Sequence, residues 1–220
     1  MRRAHGRSLA WLVAFSLISF DSAHAQSIDS ASYRIRRQKL ARLAKDGIVV
    51  IQSVEKNQQG LTEYLIDDSD NHDFLYLTGV ESKGSTLVLV PQSTVYPEIL
   101  FVPEKEIDEA RAQSGVKTVI SADKFESMLG DALTDYSIKR FTERKRKPVS
   151  SEMARVLSLT PTKTVAFNYP RYFSLSTDVP ARVQLATRIK SFVPSVQLRD
   201  ASPYLDMLRT RHDSADMMMI

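Results

Sequence analysis

At 220 residues the chain has room for one domain, or for one domain with part of another. Hydrophobic residues at 43%, charged residues at 25%, and only 7 Gly and 9 Pro exclude collagen-like, low-complexity and disordered classes. With no cysteine there is no disulfide framework, thiol nucleophile or thiolate zinc site, and the formal charge is a modest +4.

Residues 1–25 read as an export signal. Arg2, Arg3 and Arg7 precede the uncharged apolar run Leu9–Phe20, and Ala23-His24-Ala25 supplies the small residues a signal peptidase needs. Cleavage is expected between Ala25 and Gln26, giving a periplasmic or secreted protein. The run is short of the ~20 residues of a spanning helix, so no stable membrane insertion is expected. Removing three basic residues and one acidic residue leaves a mature charge of +2, which gives no case for a nucleic-acid partner.

The mature chain alternates helical and extended signals, the pattern of an α/β domain. Ser30–Lys45 carries Tyr33, Leu40, Leu43 and Ala44 at helical spacing, with Gly47 as the expected stop. Gly47–Ile51 is uniformly apolar, as a strand buried on both faces would be. Phe74–Gly79 reads as a second β-prone run, followed by Thr86–Pro91 and Glu98–Pro103, the last two each ended by proline. Glu104–Gln113 is helix-favouring and Val116–Ile120 extended. Ser121 is a candidate N-cap for a helix through Leu133, whose apolar stripe is Phe125, Met128, Leu129 and Leu133. Ser150–Glu152 caps a short helix holding Met153, Val156 and Leu157. Thr164–Phe167 and Ser195–Leu198 read as strands flanking a helix over Arg182–Lys190. Ser202–Arg209 opens as a helix with Pro203 in its first turn, and Asp213–Asp216 caps a further helix that has barely begun at Ile220.

No catalytic constellation emerges from these residues. The acidic stretch Asp67–Asp73 fails the calcium-loop pattern, since Asp73 and Gly79 stand where a glycine and a bidentate glutamate are needed, and it reads as a solvated loop ahead of a strand. His72 and His212 have no partner histidine or nucleophile motif. The basic run Lys139–Lys147 reads as a solvated connection, and Met217–Met219 as the buried face of an incomplete helix. No metal or catalytic residue is therefore assigned in this chain.

Three segments together resemble a known family. Tyr33-x-x-Arg36-Arg37-x-x-Leu40, then Gly47–Ile51, then Asp73-Phe74-Leu75-Tyr76-Leu77-Thr78-Gly79 resemble the N-terminal domain of aminopeptidase P, in the creatinase/prolidase "pita-bread" superfamily. Ser85–Pro91 and Ile99–Pro103 match in order and spacing, and Leu208–Met217 resembles the segment opening the family's catalytic domain, with His212 in place of lysine and Asp216 in place of glutamate. The resemblance implies a mixed sheet of about six strands with helices on both faces and a ribonuclease H-like motif. It divides the chain into a signal peptide (1–25), an N-terminal-type domain (26–200), and a linker with the first turn of a catalytic domain not contained here (201–220).

By the same resemblance, Arg36, Arg37, Tyr64, Asp73, Phe74, Tyr76, Thr78, Gly79 and Arg209 are family-motif residues that build the domain or edge the active site. The intact enzyme would use two divalent metal ions, expected to be manganese, to remove the residue before a penultimate proline. Its partners would be its own catalytic domain, further copies of itself and such peptides. Two departures bear on substrate contact: Tyr64–Asp70 replaces a Y-x-x-R-Q stretch, and Glu106–Arg111 replaces a W-x-G-x-R stretch. The alternatives are a stand-alone exported binding module and the N-terminal domain of a related dipeptidase or amidinohydrolase.

Overall fold

The computed structural model describes residues 30–45, 47–53, 69–93, 96–134, 164–169 and 179–210. The segment 1–25 expected to be an export signal, Tyr64, Asp67, Asp68, the basic run Lys139–Lys147, the helix expected from Ser150 and the tail from Arg211 lie outside the described residues. In chain order the elements are α1 (Ser30–Ala44), β1 (Ile48–Gln52), α2 (Ser69–Thr78), β2 (Thr86–Leu89) and β3 (Glu98–Val102). A 3₁₀ turn (Glu104–Glu106) leads into α3 (Ile107–Ser114), β4 (Val119–Ser121) follows, and a second 3₁₀ turn (Ala122–Lys124) leads into α4 (Phe125–Thr134). The remainder is β5 (Thr164–Phe167), α5 (Ala181–Phe192), β6 (Gln197–Asp200) and α6 (Ser202–Thr210).

The six strands form one mixed sheet in the order β4-β3-β2-β1-β5-β6. β1, β2 and β3 are antiparallel neighbours, while β3/β4, β1/β5 and β5/β6 run parallel. Alternate side chains of each strand point to opposite faces, which splits the core in two. Val49, Ile51, Leu87, Leu89, Leu100 and Val102 meet Leu40 of α1, Phe74 and Leu77 of α2, Ala110 of α3 and Leu205 and Leu208 of α6. Ile48, Val50, Val88, Ile99, Phe101 and Phe167 meet Phe125, Met128 and Leu129 of α4 and Leu185 and Ile189 of α5. Both faces of the sheet are covered by helices, which is why its inner strands are continuously apolar rather than alternating.

Four sequence expectations are corrected. Phe74–Gly79 is not a strand: Phe74–Thr78 completes α2, which begins in the acidic stretch at Ser69. The run Phe-Leu-Tyr-Leu is short enough to suit either element. Packing settles it, because Asp73, Phe74, Tyr76 and Leu77 are buried together on the inner side of a helix. The acidic stretch is accordingly no solvated loop at its end: Asp73 is only 1% exposed, although His72 beside it is exposed. Ser121 makes no capping hydrogen bond from its side chain, and the chain enters α4 through the second 3₁₀ turn. The left-handed residue that follows α1 is Lys45 (φ 51°), and Gly47 (φ 96°) instead delivers the chain into β1.

Candidate functional site

α2 and α3 end in the same way. Thr78-Gly79-Val80 and Ser114-Gly115-Val116 each place a hydroxyl that donates back to the carbonyl four residues earlier, at 2.7 Å for Thr78 and 2.6 Å for Ser114. The same hydroxyls then accept from the amides of Val80 and Val116, both at 3.1 Å. Gly79 (φ 71°) and Gly115 (φ 67°) adopt the left-handed conformation that closes a helix. Each terminus therefore gathers unpaired carbonyls and the negative end of a helix dipole in the interior.

Arg36 and Arg37 of α1 fill that role from the facing helix, and each is 1% exposed. Arg37 Nη1 donates to the carbonyls of Leu77 (2.9 Å) and Ser114 (3.1 Å), joining the ends of α2 and α3 through one guanidinium. Its Nε and Nη2 grip Glu98 at 2.5 and 3.3 Å, so the buried cation is neutralised at the first residue of β3. Arg36 donates to the Tyr76 carbonyl at 3.1 Å, and its guanidinium lies over the rings of Tyr76 (4.3 Å) and Tyr33 (5.5 Å). Tyr33 also explains Gly79, since a Cβ there would sit 2.4 Å from the tyrosine ring.

The same cluster reaches α6. Arg209 Nη2 lies 2.8 Å from Asp73 Oδ1, a close ion pair without hydrogen-bond alignment, and its guanidinium is 5.5 Å from the Tyr76 ring centroid. Tyr76 Oη donates to the Leu208 carbonyl at 3.4 Å. Of the motif residues, Arg36, Arg37, Asp73, Tyr76, Thr78, Gly79 and Arg209 thus converge on one buried junction of α1, α2, α3 and α6, and Phe74 lies in the core beneath it. Ala25, Gln26 and Tyr64 lie outside the described residues. Sequence reasoning missed Glu98, whose only signal is an acid heading an otherwise apolar strand. It also missed the polar knot at the end of β1, where Ser53 Oγ accepts from the Ser85 amide at 2.8 Å and Ser82 donates to Glu106.

Burial pushes the Tyr33 phenol above its ordinary value of 10.0, an effect partly opposed by Arg36; Tyr169 is raised by burial and by the charge of Asp200. A raised folded-state value means the contribution is complete below the unfolded value and is lost as pH rises through the folded one. The stability of the chain is therefore expected to fall above about pH 10 more steeply than that of a Tyr33→Phe variant. Denaturant midpoints measured across that range check this, and parallel profiles would contradict it.

What the junction offers chemically is restraint. Its cations face backbone carbonyls, aromatic rings and two carboxylates, and its hydroxyls at Tyr76, Thr78 and Ser114 are bonded to backbone groups. Among the described residues no group of three or more His, Asp or Glu is placed to hold a metal ion, so these residues do not fit a two-metal site. No helix among them is long and apolar enough to cross a membrane.

The mixed six-stranded sheet with helices on both faces is the fold of the N-terminal domain of aminopeptidase P structures. Residues 33–140 match the family model of the aminopeptidase P N-terminal domain. A Bacillus anthracis protein assigned as an aminopeptidase P superposes with a TM-score of 0.58 at 20% identity, over 82% of this chain and 40% of that one. Escherichia coli aminopeptidase P in its low-pH form gives 0.57 at 16% identity, over 86% and 41%. Pseudomonas aeruginosa aminopeptidase PepP gives 0.51 at 16%, over 86% and 40%. The chain thus spans about two fifths of the length of these solved proteins. No curated protein sequence matches it.

Proposed function

We propose that this chain is the N-terminal, non-catalytic domain of an exported Xaa-Pro aminopeptidase-like metallopeptidase. The observation that carries the reading is the commitment of the charged motif residues: Arg36, Arg37, Asp73 and Arg209 are spent on helix ends, aromatic rings and ion pairs within the domain. The family match over residues 33–140 and the span of about two fifths of the solved relatives support it. In the intact protein two divalent ions, manganese by family resemblance, would be held by a catalytic domain. The present domain would contact that catalytic domain and further copies of the chain, and would restrict access to peptides with a free N-terminus and a penultimate proline.

The purified chain from Gln26 onward, supplied with manganese, is expected not to cleave a peptide bearing a penultimate proline. Chelator-sensitive release of the N-terminal residue by this polypeptide would overturn the reading. Spaced Asp, His and Glu codons continuing the reading frame past Ile220 would support it, whereas a stop codon there would favour a stand-alone binding module.

A further inference from the structure

Helix α6 packs chiefly along α1 and buries Ser202, Leu205 and Leu208, but its last turn is held by α2. Asp73 and Tyr76 lie three residues apart on one side of α2, the spacing that places two side chains together on a helix. From there Asp73 pairs with Arg209 and Tyr76 reaches the Leu208 carbonyl. Two guanidiniums share the Tyr76 ring, Arg36 at 4.3 Å and Arg209 at 5.5 Å. Arg36 is fixed there by its hydrogen bond to the Tyr76 carbonyl. Arg209 is a quarter exposed and is drawn in beside it against like-charge repulsion, with the fully buried Asp73 carboxylate supplying the opposing attraction.

We infer that Asp73, Tyr76 and Arg209 form a latch that fixes the direction in which the chain leaves the domain at Thr210, and so positions the polypeptide that follows. That the following polypeptide is a catalytic domain rests on the function proposed above; the latch itself does not. Because Arg209 reaches solvent while the sheet core lies beneath other side chains, the latch opens by local release of α6 and leaves β1–β3 intact.

Hydrogen exchange of the backbone amides in the purified chain reads this directly. Asp73→Asn keeps the shape of the side chain but removes the attraction, leaving two guanidiniums on one ring. It is expected to speed exchange across residues 204–210 by about tenfold or more, with β1 and β2 amides unchanged. Arg209→Met removes attraction and repulsion together and is expected to give a smaller acceleration confined to the same residues, with Arg209→Lys between it and the unaltered chain. The order of the first two variants is the signature that simple loss of packing would not produce. Unchanged exchange in α6, equal acceleration across the sheet, or a larger effect for Arg209→Met than for Asp73→Asn would overturn the latch. If Asp73→Asn fails to fold by circular dichroism, the two Arg209 variants decide: recovery in Arg209→Lys supports the latch, and no effect in either overturns it. The peptide assay above is independent of these exchange rates, so failure of one reading is distinguishable from failure of the other.

Discussion

Arg37→Ala is expected to destabilise the domain by about 4 kcal/mol or more, a fall in Tm of roughly 8–16 °C for a domain of this size. The substitution strips Glu98 of its partner and leaves the Leu77 and Ser114 carbonyls facing an empty space. The loss is large because each orphan retains the cost of having left water while losing the interaction that offset it. Arg37→Lys is expected to recover only part of this, since one ammonium cannot reproduce a fork that serves two helix ends and a carboxylate at once. Thermal melts of the two variants check the prediction. A shift for Arg37→Ala of the size seen at ordinary surface positions would show that the guanidinium does not join the two helices.

Gly47→Ala is expected to cost about 3–5 kcal/mol, from a strained backbone and an overpacked contact together. A Cβ at Gly47 would lie 2.3 Å from the Thr164 carbonyl oxygen and 2.9 Å from its carbonyl carbon, on a backbone with φ of 96°. No side chain can swing aside, because the obstruction is main chain at the start of β5, where Ile48 pairs with Val165. Gly84→Ala is the control: its φ of 68° carries comparable strain, but nothing lies within 4 Å of the new Cβ, so about 1 kcal/mol is expected. Equal denaturant midpoints for the two variants would contradict the close approach of Gly47 to β5.

Much of the sheet could be read before the structure because its inner strands are buried on both faces. Ile48–Ile51, Leu87–Val90 and Ile99–Val102 are uninterrupted apolar runs of strand length, the last closed by Pro103, and each falls on a strand of the sheet. α2 could not be read in this way. Its apolar half is as short as a strand, and its acidic first turn looks like a loop when separated from it. Gly79 was visible, but a glycine ends a helix and follows a strand equally well. Only the burial of Asp73 and Leu77 on one side of α2 distinguishes them.

The buried junction was legible in part. Arg36 and Arg37 stood out only as residues of the family motif, and the structure places them on the same buried side of α1 as Leu40 and Ala44. Which partners they meet depends on chain brought together from α2, α3 and β3, and no local pattern records that Leu77 and Ser114 end side by side. Glu98 stayed hidden for the same reason, since its role is fixed by the position of Arg37 across the fold.

Titrating manganese into the purified chain while following the heat tests the central claim most directly, namely that the charged motif residues hold the fold and none forms a metal centre. The account predicts no saturable heat beyond that of a chain carrying Asp73→Asn. Tight binding of a pair of ions that this substitution abolishes would contradict it.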